Sequence, residues 1–501
     1  MADGFLVAAA ILWSYPSAAA ATTPNQFVAK IYTDGLGRIP DPSGWQNSFN
    51  TFNALGCSAS SLQTFGGTVM TSGEYQAFPY DNAARLLTLY RTVLNREPDS
   101  AGFNSNLQTL DNGGSWSAMV NSFFSTTEFQ QLAPSICNPP SDFSYSFGSS
   151  PVIDIPVSGS GFQGSGDQLQ SLLNSTSSGQ TVWLAQKAVI RLTSPLVIPS
   201  GVTLATTGNP PHNNYALMAR LVRAAAFNAA AVMLNSGAKL QHVWVDGQRG
   251  QIGFDASRIN IEIEGGSGTE VSNCMITNTS GGTNLKALGT GEGLPCASSS
   301  VLQNLVTAYS TSHFNFLWSD GVSIACENTT VYDNEIVDAT DVGIVLFDGG
   351  TAVQRSQVYH NRILNSGNSA YGGIVADPWT GAGIQHDYTG AAVYDNTLWT
   401  GAAHYEIVLS LGNRPWFDNN SATGIGVSFT SNNTGSFSAN ANTGIVVSGM
   451  LNVTEQNNNL SLNLNHYCAC PQVAVAAAVS AGYASGNIQR PYTDVNVPGC
   501  I

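Results

Sequence analysis

The sequence is poor in charged residues, and most of its charges are acidic. Only 10% of its 501 residues are charged, and 17 Lys and Arg stand against 32 Asp and Glu, which gives a formal net charge of -15. Nucleic acids and anionic membrane surfaces would repel such a chain, so neither is an expected partner. Beyond its N-terminal segment the sequence also lacks an apolar run of roughly 18 residues, so we expect no insertion into a membrane.

Zinc-binding cysteine pairs are missing as well. The eight cysteines are spread along the chain without a C-x-x-C pair, and we interpret them as disulfide partners in an oxidising compartment. At the N-terminus, the apolar stretch from Phe5 to Trp13 precedes small residues suited to cleavage near Ala20 or Ala21, although the first basic residue is Lys30. The sequence therefore predicts a signal peptide over residues 1–21 and a secreted or cell-surface protein.

A sequence unit occurs twice between residues 25 and 135. IYTDGLGRIPDPSGW at 31–45 matches LYRTVLNREPDSAGF at 89–103. A second shared element follows each copy, TSGEYQAF at 71–78 and STTEFQQL at 125–132, in which Ser or Thr precedes Glu as it does at helix starts. We interpret residues 25–135 as a helical module built from two repeats.

This module resembles a helical domain of unknown function found in many secreted and surface proteins of bacteria. The mark of that domain is Y-R-x-x-L-x-R-x-P-D-x-x-G. The resemblance implies association with a cell surface through the module. The second copy carries the mark at the following residues: Tyr90, Arg91, Leu94, Arg96, Pro98, Asp99 and Gly102.

The Pro-Asp-x-x-Gly turns of the module contain Asp41 and Asp99. We expect each aspartate to cap the helix that follows, with a metal or glycan contact as the alternative. Residues 136–165 are rich in Pro, Ser, Gly and Phe and predict a linker.

From residue 166 onward the sequence predicts short strands in a repeating unit. An amphipathic segment, QLQSLLN, comes first, and alternating runs follow it. Units of this length indicate a solenoid or a propeller, and the lack of recurring Asn-Gly or Asp-Gly hairpin turns argues against the propeller. We therefore predict a mainly β fold, a parallel β-helix over 166–501 behind a small α-helical domain. Stacked turn amides are expected at the Asn of each unit: Asn304, Asn334, Asn361 and Asn396.

The run from Asp320 to Phe347 reads D-G-x-x-x-x-C…V-x-x-N-x-I-x-D-A-T-D-x-G-I-x-x-F. With the surrounding repeats, it resembles the right-handed parallel β-helix, pectin-lyase-like superfamily, in an uncharacterised extracellular branch. The resemblance implies a right-handed coil and a sugar-binding groove along one parallel sheet. The enzymes of that superfamily are mainly polysaccharide lyases, glycoside hydrolases and epimerases, so the fold alone does not choose a reaction.

The last part of the chain continues with weaker coils. Cys468, Cys470 and Cys500 gather there. We expect a disulfide clamp over the last coil, with metal binding by the Cys-x-Cys pair as the alternative.

A candidate site follows from aligning the tripeptides GIV, GIV and EIV, which begin at Gly343, Gly373 and Glu406. In this alignment the two glycines leave open space beside Glu406. The residues two positions earlier are predicted to stack on successive coils, about 5 Å apart: Asp341, Tyr371 and His404.

Glycoside hydrolysis requires a carboxylic acid and a carboxylate, separated by roughly 5 Å for retention or 6.5–9.5 Å for inversion. Asp341 is expected to be indispensable because it can pair with Asp320 or with Glu406, and His404 could tune a carboxylate. The catalytic candidates are Asp341, Asp320, Glu406 and His404. The substrate-binding candidates are Tyr371, Asp377, Trp379, Asp348 and Arg414.

The residues leave other functions open. A lyase or epimerase on a uronic-acid polymer could hold Ca²⁺ through Asp320, Asp341 and Asp377, whereas a hydrolase would need no cofactor or metal. A non-catalytic surface adhesin is the second alternative, and single aspartates, Asp338 above all, are also explained as turn caps. The scarcity of basic residues in the central coils favours a neutral polysaccharide as the partner: only Lys286, Arg355, Arg362 and Arg414 occur there.

Overall fold

A computed structural model of the chain describes residues 24–139, 151–288, 296–308, 317–347, 353–378, 386–412, 424–448, 450–464, 473–475 and 493–494. The predicted signal peptide at 1–21 and the cysteines at 468, 470 and 500 lie outside these residues. Most of the helices precede the sheets. They are Asn25–Lys30, continued by a π-helix at Ile31–Gly35, then Pro42–Leu55, Ala59–Met70, Gly73–Ala77, Asn82–Leu94, Ser100–Asp111, Trp116–Phe124, Thr127–Cys137 and Gly166–Ser175, with a 3₁₀ turn at His212–Leu217 and a short helix at Arg249–Ile252.

Three long sheets follow, and all their strands pair in parallel. The first sheet contains Thr181–Leu184, Thr203–Thr206, Lys239–Gln241, Glu270–Ser272, Ser300–Leu302, Thr330–Tyr332, Gln357–Tyr359, Ala392–Tyr394, Ser428–Thr430 and Thr454–Gln456. The second contains Val189–Leu192, Ala219–Arg223, Val243–Asp246, Met275–Thr277, Leu305–Thr307, Glu335–Val337, Arg362–Asn365 and Thr397–Thr400. The third contains Leu196–Ile198, Val232–Leu234, Ile261–Glu264, Thr283–Leu288, Asp320–Ala325, Val342–Phe347, Ala370–Asp377, Tyr405–Gly412, Ala439–Ser448, Leu462–Leu464, Val473–Val475 and Thr493–Asp494. Two small parallel sheets join Gly266–Ser267 to Cys296–Ala297, and His386–Asp387 to Gly424–Ile425 and Met450–Leu451.

The sheets form a coil because, as far as Tyr405–Gly412, each turn of the chain adds one strand to each of them in the same order. Inward side chains such as Val331, Ile336 and Ile344 are fully buried in one continuous core. Because both neighbours of an interior strand are parallel, alternate β-branched residues can fill that core coil after coil. The prediction of a mainly β fold, a right-handed parallel β-helix behind a small helical domain, is confirmed.

The predicted asparagine ladder connects the first sheet to the second. The Nδ2 of Asn304 donates to Oδ1 of Asn334, and the same 2.9 Å bond repeats from Asn334 to Asn361 and from Asn361 to Asn396. Two more rungs, which the sequence prediction did not include, follow at Asn432 and Asn458. The residue before each rung has a positive φ, between 54° and 58°, which turns the chain at the end of the first-sheet strand: Gln303, Asp333, His360, Asp395, Ser431 and Asn457.

The helical module shows the repeat predicted from the sequence. Asp41 accepts a 2.8 Å bond from the backbone N of Gly44, and Asp99 accepts a bond of the same length from Gly102, so both aspartates are helix caps as expected. Each copy also has an arginine that pairs with a glutamate and lies 5.1 Å from a tyrosine ring centroid. The equivalent sets are Tyr32, Arg38 and Glu74 in the first copy and Tyr90, Arg96 and Glu128 in the second.

The module packs against the outward face of the second sheet. The backbone N of Ile39 donates to Glu335 (2.6 Å), and Arg362 donates to the carbonyl of Pro40 (2.7 Å). The helices and the outward side chains of the sheet share one apolar core, in which these sheet residues are buried: Trp244, Met275, Leu305, Val337, Leu364 and Trp399.

Two disulfides occur among the described residues, Cys57–Cys137 in the module and Cys296–Cys326 between neighbouring coils. Cys274 is instead a buried thiol, which corrects the interpretation of every cysteine as a disulfide partner. It occupies the position before the first rung of the asparagine ladder, where its backbone N donates to Asn304. Within the described parts of the chain, no helix combines the length and the apolar character needed to cross a bilayer.

Candidate functional site

The candidate residues lie on the outward face of the third sheet, near the start of its strands. Val342 pairs with Gly372, and Gly372 pairs with Ile407, so the residues just before these three are also level with one another. A single row therefore runs across three neighbouring coils, and each of its side chains is half-buried: Asp341, Tyr371 and Glu406.

The predicted stacking of Asp341 on Tyr371 is confirmed, but the predicted place of His404 is wrong by two residues. Glu406 is level with Tyr371, and His404 is level with Ser369. The alignment of EIV with GIV did not take into account that Tyr405 is fully buried and pairs with Ala370. An inward aromatic residue fixes the register more strongly than an identical Ile-Val pair does.

The predicted space beside Glu406 is also absent. A Cβ on Gly343 would lie 2.6 Å from the carbonyl oxygen of Gly373 and 2.8 Å from Ile363, and a Cβ on Gly373 would lie 2.5 Å from Leu398. These glycines allow close packing between coils, and they do not open a pocket in the groove.

Glu406 is held from two sides. Asn442, level with it on the next strand, donates its Nδ2 to Oε2 of Glu406, and the Nε2 of His404 lies 3.6 Å from Oε1. The other ring nitrogen of His404, Nδ1, is 2.8 Å from the hydroxyl of Ser369. The strand thus brings together His404 and Glu406, two of the catalytic candidates.

Tyr371 lies between the two carboxylates of the row. Burial, then Asp341, then Glu406 raise the pKa of its hydroxyl to about 12. The ring of Trp318 meets that of Tyr371 edge to face, with centroids 5.2 Å apart. Sequence reasoning missed Trp318, although it precedes the Ser-Asp-Gly start of a third-sheet strand and is the kind of residue that sugars stack on.

Asp320 lies on the coil before Asp341. Val322 pairs with Ile344, which places Asp320 level with Val342, one position beyond Asp341. Its carboxylate accepts bonds from Ser323 Oγ (2.6 Å) and from the backbone N of Val342 (3.3 Å). Burial outweighs these bonds and raises the pKa of Asp320 to about 6.

Asp377 is not part of the row. It lies at the far end of the strand that contains Tyr371, is only 2% exposed, and has one carboxylate oxygen without a hydrogen-bond partner. Burial and, secondarily, Asp320 raise its pKa well above the usual value. A small cluster of buried apolar side chains, separate from the interior core, lies on the same strands: Val342, Val345 and Val375.

Asp338 is a turn cap, as the alternative interpretation held. It accepts bonds from the backbone N and the hydroxyl of Ser366 and from the backbone N of Gly367. Burial nevertheless raises its pKa to about 6. The remaining predicted substrate contacts lie outside the described residues: Asp348, Trp379 and Arg414.

The described residues contain no group of three or more His, Cys, Asp or Glu side chains arranged to hold a metal ion. In particular, Asp341 is level with the start of the strand Ala370–Asp377, and Asp377 lies at its other end. The three aspartates considered as calcium ligands from the sequence are therefore not brought together. The three basic residues of the central coils that the structure describes are in ion pairs: Lys286 with Glu262 (3.7 Å), Arg355 with Glu327 (2.8 Å) and Arg362 with Glu335 (3.0 Å).

Residues 70–133 match a domain of unknown function (DUF4214), in agreement with the resemblance of the helical module. No curated protein matches the chain.

Several solved structures follow a similar chain path. Endo-xylogalacturonan hydrolase from Aspergillus tubingensis is 11% identical, with a TM-score of 0.45, over 66% of this chain and 95% of that one. Polygalacturonase from Erwinia carotovora ssp. carotovora is 13% identical, with a TM-score of 0.42, over 62% and 93% of the two chains. The Dettilon tailspike protein (gp208) is 11% identical, with a TM-score of 0.33; the match covers 62% of this chain and only 61% of the tailspike. At these identities and scores the likeness carries over no activity.

Proposed function

We propose that the chain is an extracellular glycoside hydrolase that binds a polysaccharide across the row formed by Asp341, Tyr371 and Glu406. The observation that carries this proposal is the register of three neighbouring strands, which places a carboxylate, an aromatic ring and a second carboxylate side by side on a half-exposed face. Trp318 widens the aromatic part of the row. Aromatic faces flanked by carboxylates suit the stacking and hydrolysis of sugar rings.

Two carboxylate pairs can carry the reaction, and Asp341 belongs to both. Strands in one sheet are about 4.8 Å apart, so Asp320 and Asp341 are separated by one such step and Asp341 and Glu406 by two, or roughly 10 Å between backbones. The raised pKa of Asp320, about 6, suits a proton donor to the glycosidic oxygen. Asp341 then acts as the nucleophile or the base, and Glu406 binds substrate or activates water.

The charge pattern supports a neutral substrate. Among the described residues around the row, the acids are Asp320, Asp341 and Glu406, and Lys286 on the same sheet is paired with Glu262. A uronic-acid polymer would place its carboxylates against these acids, and the positive charge of Lys286, which acts on Asp320, is already offset by Glu262. The two disulfides support an oxidising, extracellular location.

The test is a screen of the purified protein against neutral and uronic polysaccharides, with reducing ends and the absorbance of unsaturated products both recorded. We expect new reducing ends on a neutral polymer, no unsaturated product, and a rate that falls as the pH rises through about 6, where Asp320 loses its proton. Unsaturated products from a uronic polymer would establish the lyase alternative. Binding without any turnover would establish the adhesin alternative.

A further inference from the structure

We propose that Ser369 is a positioning residue that holds the neutral His404 ring in the form protonated on Nε2, so that this N–H points at Glu406. The catalytic meaning of the contact rests on the hydrolase proposed above, but the form of the ring does not. Ser369 precedes the strand that contains Tyr371, and it is 7% exposed.

The hydrogen-bond partners of the Ser369 hydroxyl indicate which ring nitrogen of His404 accepts its hydrogen. The backbone N–H of His404 donates to Oγ of Ser369 at 3.3 Å, and the same Oγ lies 2.8 Å from Nδ1 of the His404 ring. Of these two partners only Nδ1 can accept the hydroxyl hydrogen of Ser369, so donation from Oγ to Nδ1 uses the hydrogen-bonding capacity of both groups. The ring proton therefore resides on Nε2.

The opposite arrangement is unfavourable because of Glu406. If Nδ1 carried the proton, the lone pair of Nε2 would lie 3.6 Å from a carboxylate oxygen of Glu406, and the two negative ends would repel each other. With the proton on Nε2, the contact is attractive, although at this length it is electrostatic and not a full hydrogen bond. Together with the amide of Asn442 on the other oxygen, it orients the Glu406 carboxylate.

The turn in front of Ser369 is built to hold it in place. Asp338 accepts the backbone N–H groups of Ser366 and Gly367, and the side chain of Gln26 from the helical module lies so close to Gly367 that a Cβ there would be 2.0 Å from it. The backbone N of Ala370 also donates to the carbonyl of His404 (3.0 Å). The hydroxyl thus reaches His404 from a fixed backbone.

The titratable groups around His404 come from each element packed against it. Glu406 is on its own strand, Tyr371 and Asp341 are on the two preceding strands, and Asp338 lies under the turn that contains Ser366. All of them except Tyr371 are carboxylic acids. The proposal concerns the neutral ring, so the measurement uses conditions in which the imidazole is neutral.

The first test measures directly which nitrogen of the His404 ring is protonated. The chain has seven histidines, so ¹⁵N spectra of the imidazole nitrogens are feasible, and His404→Gln identifies the relevant signals. We expect the neutral His404 ring to be protonated on Nε2 in the wild type and in Ser369→Thr, and to show a mixture of both forms in Ser369→Ala. A wild-type ring protonated on Nδ1, or a Ser369→Ala spectrum identical to the wild type, would overturn the proposal even if the enzyme is active.

The second test measures the consequence for turnover on whichever neutral polymer the wild type cleaves. Ser369→Ala is expected to lower kcat about tenfold with KM nearly unchanged, and Ser369→Thr to restore most of kcat, because threonine keeps the hydroxyl. Ser356→Ala, which removes a buried hydroxyl between other coils, serves as the matched control and should leave kcat unchanged. An equal loss in both alanine variants would show that Ser369 acts only on stability.

Discussion

Asp341 is the residue on which the proposed chemistry depends most. It is half-buried at the start of a strand, so its carboxylate contributes little to folding. We expect Asp341→Asn to abolish turnover and to leave the melting temperature almost unchanged. The matched control is Asp395→Asn, because Asp395 is an exposed aspartate with φ of 54°, a conformation that asparagine also adopts.

One outcome for Asp341→Asn would contradict the catalytic assignment. If Asp341→Asn lowers the melting temperature strongly while each folded molecule keeps full activity, Asp341 belongs to a turn and the catalytic assignment fails. Turnover and thermal unfolding are both to be measured on the same preparations.

The raised pKa of Asp338 predicts that the stability of the folded chain depends on pH. Burial raises its pKa in the folded chain to about 6 from the ordinary value of 3.8, so the folded state binds more protons than the unfolded state between these values. The contribution of Asp338 to stability is therefore greatest below pH 4 and is lost as the pH rises to about 6. Asp338→Asn cannot ionise, so urea unfolding at a series of pH values should show a flatter profile than the wild type across this window; parallel profiles would contradict the assignment.

At the residue scale, sequence reasoning reached part of the site. It placed Asp341 level with Tyr371, because identical Gly-Ile-Val segments marked the register. It misplaced His404 because the buried Tyr405, which sets the register of that strand, is indistinguishable in sequence from an outward tyrosine. Trp318 was missed because it is not level with Tyr371, so an alignment of the coils does not reveal the contact between the two rings.

At the scale of elements, the asparagine ladder makes the coils depend on one another. Oδ1 of Asn361 accepts bonds from both nitrogens of Asn334, and its Nδ2 donates to Asn396 and to the carbonyl of Val331. Removing one interior rung leaves several buried polar groups without partners, each at a cost of about 1–3 kcal/mol.

We therefore expect Asn361→Ala to lower the free energy of unfolding by several kcal/mol. Asn304→Ala should cost less, because the oxygen of Asn304 accepts only from the backbone of Cys274, at the end of the ladder. Urea titrations of both variants make the comparison. Equal costs for the interior and the terminal rung would show that the amides do not act as a ladder.

The elements themselves were more predictable than the side chains. Repeats can be recognised in the sequence, as the Asn of each coil and the two Arg-x-Pro-Asp segments of the helical module show. The packing between module and sheet was not predictable, because its partners are far apart in the chain and carry no shared pattern. Ile39 meets Glu335, for example, and Glu97 meets Arg220.

At the scale of the whole molecule, the helical module and the β-helix are joined by buried charges as well as by an apolar core. Glu97 of the module accepts bonds from Arg220 of the second sheet (2.8 and 2.9 Å) and from Arg91 of its own repeat. Arg220 also pairs with Asp246, and its guanidinium lies 3.7 Å from the ring centroid of Trp244. Although burial alone would raise the pKa of Glu97, the two arginines hold it at about 2, so the carboxylate stays ionised inside the interface.

This network predicts that the two parts unfold together. Glu97→Gln leaves Arg91 and Arg220 buried with one carboxylate fewer, and the loss of a partner from a buried pair costs about 3–5 kcal/mol. Glu128→Gln removes a carboxylate from the exposed pair with Arg96 and should cost less than about 1 kcal/mol. Calorimetry of the full chain should show one transition in the wild type and a single, lower transition in Glu97→Gln. Two separate transitions in the wild type, or an equal effect of the two substitutions, would mean that the module rests on the sheet without stabilising it, and the module would then be free to act as an independent surface domain.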